Sequence, residues 1–126
     1  MAKPILLVDD DPTIREFISI VLEDEGYSVV TATNGASALK RIEEYTPSLI
    51  LLDMNMPLMN GWDFAEAYNQ RQGDHAPIIV MTAAQSADTV AAEISASGVL
   101  SKPFDIDDLI VLVKKWVGTD DQGNAL

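Results

Sequence analysis

The chain alternates between short, continuously apolar runs and longer segments in which apolar residues recur every three or four positions. Continuous apolar runs are typical of strands buried on both faces of a parallel sheet, and the longer period is typical of helices packed against such a sheet. The pattern therefore predicts strands that alternate with helices from end to end. The predicted strands are Ile5–Val8, Tyr27–Ala32, Leu49–Leu52, Pro77–Met81 and Val99–Ser101.

Residues that favour helix ends separate these segments. Asp11 followed by Pro12 predicts an N-cap and a first helical residue, and Gly26 is expected to end the same helix. Further helices are predicted after Asn34, at about Trp62–Arg71, near Asp88–Ala96 and after Asp105. The predicted buried faces of the first and last helices are Ile14, Phe17, Ile18, Val21 and Leu22, and Ile106, Leu109, Ile110, Val113, Trp116 and Val117.

Repeated strand-then-helix units with short connections predict an α/β fold. We expect a doubly wound, five-stranded parallel sheet with helices on both faces. By analogy with flavodoxin-like folds, the strand order would be 2-1-3-4-5, which places the first strand between the second and the third. One domain is predicted over residues 1–118, followed by a flexible tail over 119–126, because the last residues are polar and lack the helical period.

Four of the predicted strands run into polar residues that phosphoryl chemistry uses. Asp9 and Asp10 follow the first strand, Asp53 the third, Thr82 the fourth and Lys102 the fifth. The carboxyl ends of parallel strands meet at the edge where such folds bind ligands, so we expect these side chains to lie together. The carboxylates would form an all-oxygen site suited to Mg²⁺, and Asp53 is the best candidate for an aspartyl phosphate.

Composition narrows the classes of partner. The net charge of −12 argues against nucleic-acid binding and favours cations and basic partners. No membrane association is expected, because no apolar segment is long enough to span a bilayer and the N-terminus lacks a signal-peptide layout. The absence of cysteine excludes disulfides and fits a cytoplasmic protein. Without a nucleotide-binding Gly-rich loop, the phosphoryl group must come from a partner or a small donor.

The ordered set of motifs resembles the receiver domain of two-component response regulators, the CheY-like family. The resemblance covers Ile5 to about Val117 and rests on Asp9-Asp10, Asp53-Met54-Asn55-Met56-Pro57 with Gly61, Thr82-Ala83 and Lys102-Pro103-Phe104. It implies that Asp53 accepts a phosphoryl group from a histidine kinase or a histidine phosphotransfer protein. It also implies that Asp10, Asp53 and the backbone carbonyl of Asn55 bind Mg²⁺, with Asp9 acting through water. Thr82 and Lys102 would contact the phosphoryl group.

The resemblance further implies a phosphorelay signalling domain and not a separate enzyme, since it would catalyse only its own phosphorylation and dephosphorylation. We expect a single-domain regulator that contacts an unidentified output protein through its last two helices and fifth strand. Met1 and the polar tail favour a complete chain over an excised fragment. The resemblance also makes the Lys102–Pro103 peptide a candidate cis bond, because the matching peptide is usually cis in this family.

Two features depart from the family pattern. Val99 stands where the family typically has an aromatic switch residue, and the turn from Gly98 to Lys102 is shorter than usual by roughly three residues. These departures leave open a degenerate receiver that serves as a constitutive protein-interaction module. A phosphatase with the same aspartyl-phosphate chemistry is a third hypothesis, but Asp53 is followed by Met54-Asn55 and so lacks an Asp-x-Asp arrangement.

Overall fold

Strands and helices alternate along the chain as the sequence pattern predicts. The computed structural model describes residues 3–54, 60–71, 75–83, 87–94, 96–102 and 104–117. The strands are β1 (Ile5–Val8), β2 (Val29–Ala32), β3 (Leu49–Asp53), β4 (Ile78–Ala83) and β5 (Gly98–Lys102). The helices are α1 (Pro12–Asp24), α2 (Gly35–Glu44), α3 (Gly61–Gln70), α4 (Ala87–Ile94) and α5 (Ile106–Val117).

The strands form one parallel sheet in the order β2-β1-β3-β4-β5, which confirms the predicted doubly wound arrangement. Side chains that alternate along each strand divide the core into two layers. One layer joins the sheet to α2, α3 and α4, and the other joins it to α1 and α5. The strands are apolar runs because both of their faces are covered.

A single residue determines where each end of α1 lies. Asp11 caps the first turn by accepting hydrogen bonds from two backbone N–H groups. At the other end Gly26 has a φ of 96°, and the N–H of Tyr27 donates to the carbonyl of Leu22. This bond is part of a Schellman motif and makes Tyr27 part of the helix end. For that reason β2 begins at Val29, later than the predicted Tyr27.

Two residues predicted to face the core are exposed. Phe17 retains 44% and Ile106 retains 43% of its accessible surface. The buried stripe of α1 runs through Ile18 and Leu22, and Phe17 lies about 100° around the helix from Ile18, beyond the edge of the stripe. Ile106 begins α5 within the exposed acidic first turn over 105–108. The predicted helical period is correct, but the buried stripes are narrower than predicted.

The strand ends bear directly on the functional site. β3, β4 and β5 extend through Asp53, Thr82 and Lys102, so these residues are held by the sheet and not by loops. Asn55, Pro103 and the predicted tail over 119–126 lie outside the described residues. Within the described ranges, no helix combines the length and apolar character needed to cross a membrane.

Candidate functional site

Three carboxylates lie together at the carboxyl edge of the sheet. Val8 pairs with Leu52, so Asp9 emerges from β1 beside Asp53 at the end of β3, and Asp10 follows. One oxygen from each carboxylate lies within 4.8 Å of the other two. Asp9 and Asp53 are buried, whereas Asp10 is exposed. The cluster therefore has two carboxylates withdrawn from water and one that faces it.

Lys102 reaches the cluster from two strands away. Its register partner is Ala83, two residues beyond Met81, the residue of β4 that pairs with Asp53. The long side chain spans β4 and brings Nζ to 3.5 Å from Asp53 Oδ1 and 3.7 Å from Asp9 Oδ2. One ammonium group thus contacts both buried carboxylates.

Asp9 has one oxygen that is well hydrogen-bonded and one that is not. Oδ1 accepts a hydrogen bond from the backbone N–H of Asp11 at 2.9 Å, but Oδ2 has no hydrogen-bond partner within the described residues. Burial raises the pKa of Asp9, and the charges of Asp53 and Asp10 raise it further; the Asp11 N–H and Lys102 act in the opposite direction. A divalent cation would neutralise this repulsion, so the three carboxylates fit Mg²⁺.

Thr82 and Val99 lie on the other side of the sheet from Lys102. Thr82 is buried and comes one residue after Met81, which pairs with Asp53. Because strand side chains alternate, Thr82 lies on the same side as Val80, the register partner of Val99. Thr82 and Lys102 therefore end neighbouring strands at the same edge but on opposite faces.

Gly61, one of the residues that carry the family resemblance, lies close to Met54, the residue that follows Asp53. Its N–H donates to the carbonyl of Met54 at 3.2 Å, and Met54 is fully buried. A Cβ on Gly61 would lie 2.8 Å from the Cα of Met54. Because this contact is with backbone, a side-chain rotation cannot relieve it. Only glycine allows the start of α3 to pack this closely against the end of β3.

We expect Gly61→Ala to lower the free energy of unfolding by about 1–3 kcal/mol, as overpacking of a core does. Urea unfolding at an unchanged m-value would measure the loss. Gly98→Ala is the matched control, because its Cβ would meet side-chain atoms of Ile79 and Trp116 and no backbone atom. A Gly61→Ala protein as stable as wild type would contradict this interpretation.

The sheet order and the cluster at its carboxyl edge define an α/β domain of the receiver type. The chain matches the family model of the response regulator receiver domain over residues 5–114, and it therefore belongs to that family. This confirms the family predicted from the motifs.

Individual proteins agree with the assignment. The chain is 36% identical over 118 residues to the DNA-binding response regulator MtrA of Mycolicibacterium smegmatis, covering 90% of this chain and 50% of MtrA. It is 36% identical over 120 residues to the autoinducer sensor kinase/phosphatase CqsS of Vibrio cholerae, covering 91% of this chain and 17% of CqsS. The high-resolution structure of the Vibrio cholerae chemotaxis response regulator CheY4 superimposes with a TM-score of 0.82 at 32% identity, covering 91% of this chain and 98% of CheY4.

Proposed function

We propose that Asp53 accepts a phosphoryl group from a histidine kinase or a histidine phosphotransfer protein in a Mg²⁺-dependent reaction. The observation that carries this proposal is the Asp9, Asp10 and Asp53 cluster, two of whose members contact Lys102. Receiver domains are signalling domains, so the outcome of the reaction would be a change in protein contacts and not the turnover of a metabolite.

In the proposed reaction, a carboxylate oxygen of Asp53 forms a bond to phosphorus as the bond from phosphorus to the donor's imidazole nitrogen breaks. Asp10, Asp53 and the backbone carbonyl of Asn55 would hold Mg²⁺, and Asp9 would act through water. Bound Mg²⁺ would neutralise charge on the transferring group. Lys102 would move its ammonium from Asp53 to a phosphoryl oxygen.

Thr82 would transmit the phosphorylation signal from the site to the surface formed by α4, β5 and α5. Thr82 would donate its hydroxyl to the phosphoryl group, and its backbone shift would pass to α4. Val99 is aliphatic and cannot serve as the aromatic switch residue that is typical of the family. We therefore assign transmission of the phosphorylation signal to the backbone movement at Thr82. Val111, which is 66% exposed, and the exposed Ile106 offer apolar contact area for an output protein on α5.

Nucleic acid is not a proposed partner of this domain. The relative MtrA is described as DNA-binding, but the chain spans only half of the length of MtrA. The net charge of −12 opposes binding to phosphate backbones. We propose that any effect on transcription passes through protein contacts of the domain.

Incubation of the whole chain with a small acyl phosphate and Mg²⁺ tests the proposal. Intact-mass spectrometry should detect the addition of one phosphoryl group, and chelation of Mg²⁺ with EDTA should prevent it. Beryllofluoride, which mimics the phosphoryl group, should change the NMR spectrum in the presence of Mg²⁺. Absence of both responses would contradict the proposal and favour a constitutive interaction module.

A further inference from the structure

We propose that Arg15 is a positioning residue for the Mg²⁺ site and that it acts on Asp10 through the peptide joining Asp9 to Asp10. This inference rests on the proposed function, because it concerns how the metal ligands are held. Neither the motifs nor the spacing of the carboxylates assigns Arg15 any part in the site.

The direction of the Asp10 side chain is set by the backbone that carries it. Asp10 is the exposed member of the cluster, and within the described ranges no hydrogen bond or ion pair holds its carboxylate. A free carboxylate on a mobile backbone would lose conformational entropy on binding a metal. The orientation of Asp10 in the metal-free protein therefore depends on the backbone from which it projects.

That backbone is anchored at both sides of Asp9. β1 ends at Val8, and the N–H of Asp9 still donates to the carbonyl of Ala32 at 3.1 Å. The carbonyl of Asp9 accepts a hydrogen bond from Arg15 Nη1 at 2.8 Å. Arg15 lies in the first turns of α1 and donates to the carbonyl of Asp9, which follows the last residue of β1.

The hydrogen bond from Arg15 restrains Asp10 because the two residues are linked through the peptide unit between Asp9 and Asp10. The carbonyl of Asp9 and the N–H of Asp10 belong to one planar peptide unit, so fixing the oxygen fixes the plane from which Asp10 leaves. Groups that orient metal ligands from outside the coordination sphere typically change metal affinity by about 10- to 100-fold when they are removed.

The positive charge of Arg15 and its hydrogen bond to Asp9 predict opposite changes in Mg²⁺ affinity when Arg15 is removed. The direction of the measured change therefore tests the proposal. A guanidinium near the site repels Mg²⁺, so an arginine that acted only through its charge would weaken metal binding. Its removal would then strengthen binding. A positioning arginine has the reverse effect, because its removal releases the Asp9–Asp10 peptide.

The experiment is calorimetric titration of the metal-free whole chain with Mg²⁺. Arg15→Met should bind Mg²⁺ about tenfold more weakly than wild type, and Arg15→Lys, which keeps a positively charged donor group, should recover part of the loss. Arg71→Met is the control, because Arg71 is an exposed arginine at the end of α3 and its replacement changes the net charge equally. It should leave the affinity unchanged or slightly increase it.

Urea unfolding in the absence of Mg²⁺ checks that each variant is folded, and Arg15→Gln replaces Arg15→Met if the latter does not fold. Mg²⁺ binding by Arg15→Met as tight as that of wild type, or tighter, would overturn the inference alone. A wild-type chain that binds no Mg²⁺ would overturn both the inference and the proposed function. Weaker binding in Arg15→Met but not in Arg71→Met supports positioning.

Discussion

Asp53→Asn is expected to abolish phosphoryl transfer to the chain while preserving its fold. The amide has nearly the shape of the carboxylate but lacks the nucleophilic oxygen that would form the bond to phosphorus. It also removes a negative charge that raises the pKa of the buried Asp9, so repulsion within the cluster decreases. After incubation with an acyl phosphate and Mg²⁺, the intact mass of this variant should remain unchanged.

Asp24→Asn provides the matched control for this loss. Asp24 is the exposed last residue of α1, and its replacement changes the net charge equally without altering the cluster. This control should gain one phosphoryl group at the wild-type rate. Phosphoryl incorporation into Asp53→Asn would show that another residue is the acceptor, whereas an Asp53→Asn protein without a cooperative unfolding transition would reveal a structural role.

The fold could be predicted largely because local and tertiary signals agree. The apolar runs of β1 and β3 have no polar face, which only a sheet covered on both sides accommodates. Asp11 and Asn34 are both found as N-caps, as predicted. The burial of Phe17 and the start of β2 at Tyr27 were predicted wrongly. The first depends on tertiary packing and the second on backbone conformation. The width of a buried stripe depends on neighbouring helices, and the hydrogen bond of Tyr27 depends on the conformation of Gly26.

The site was only partly predictable, for a related reason. Parallel register brings Asp9 beside Asp53, so the sequence order of strand ends was enough to expect a carboxylate cluster. Contacts made by backbone groups left no comparable signal. The bond from Arg15 to the Asp9 carbonyl and the approach of Gly61 to Met54 depend on where backbone atoms lie, and neither side-chain type nor spacing encodes that.

Lys102→Met should slow phosphorylation and strengthen Mg²⁺ binding at the same time. Lys102 Nζ lies 3.5 Å from Asp53 and 3.7 Å from Asp9, so the ammonium opposes entry of a second cation into the cluster. Its removal should tighten Mg²⁺ binding in a calorimetric titration. The same ammonium would stabilise charge on the transferring group, and loss of one such group typically costs about 10²- to 10³-fold in rate.

Lys114→Met is the control for Lys102→Met, since Lys114 pairs with Glu25 at 3.4 Å and belongs to the last turn of α5. It should change neither the Mg²⁺ affinity nor the phosphorylation rate. Time courses of intact mass at saturating Mg²⁺ then separate two roles of Lys102. A deficit that persists at saturation indicates action on the phosphoryl group, because the metal site is full in both proteins. A deficit that disappears there, or that accompanies weaker Mg²⁺ binding, would restrict Lys102 to organising the carboxylates.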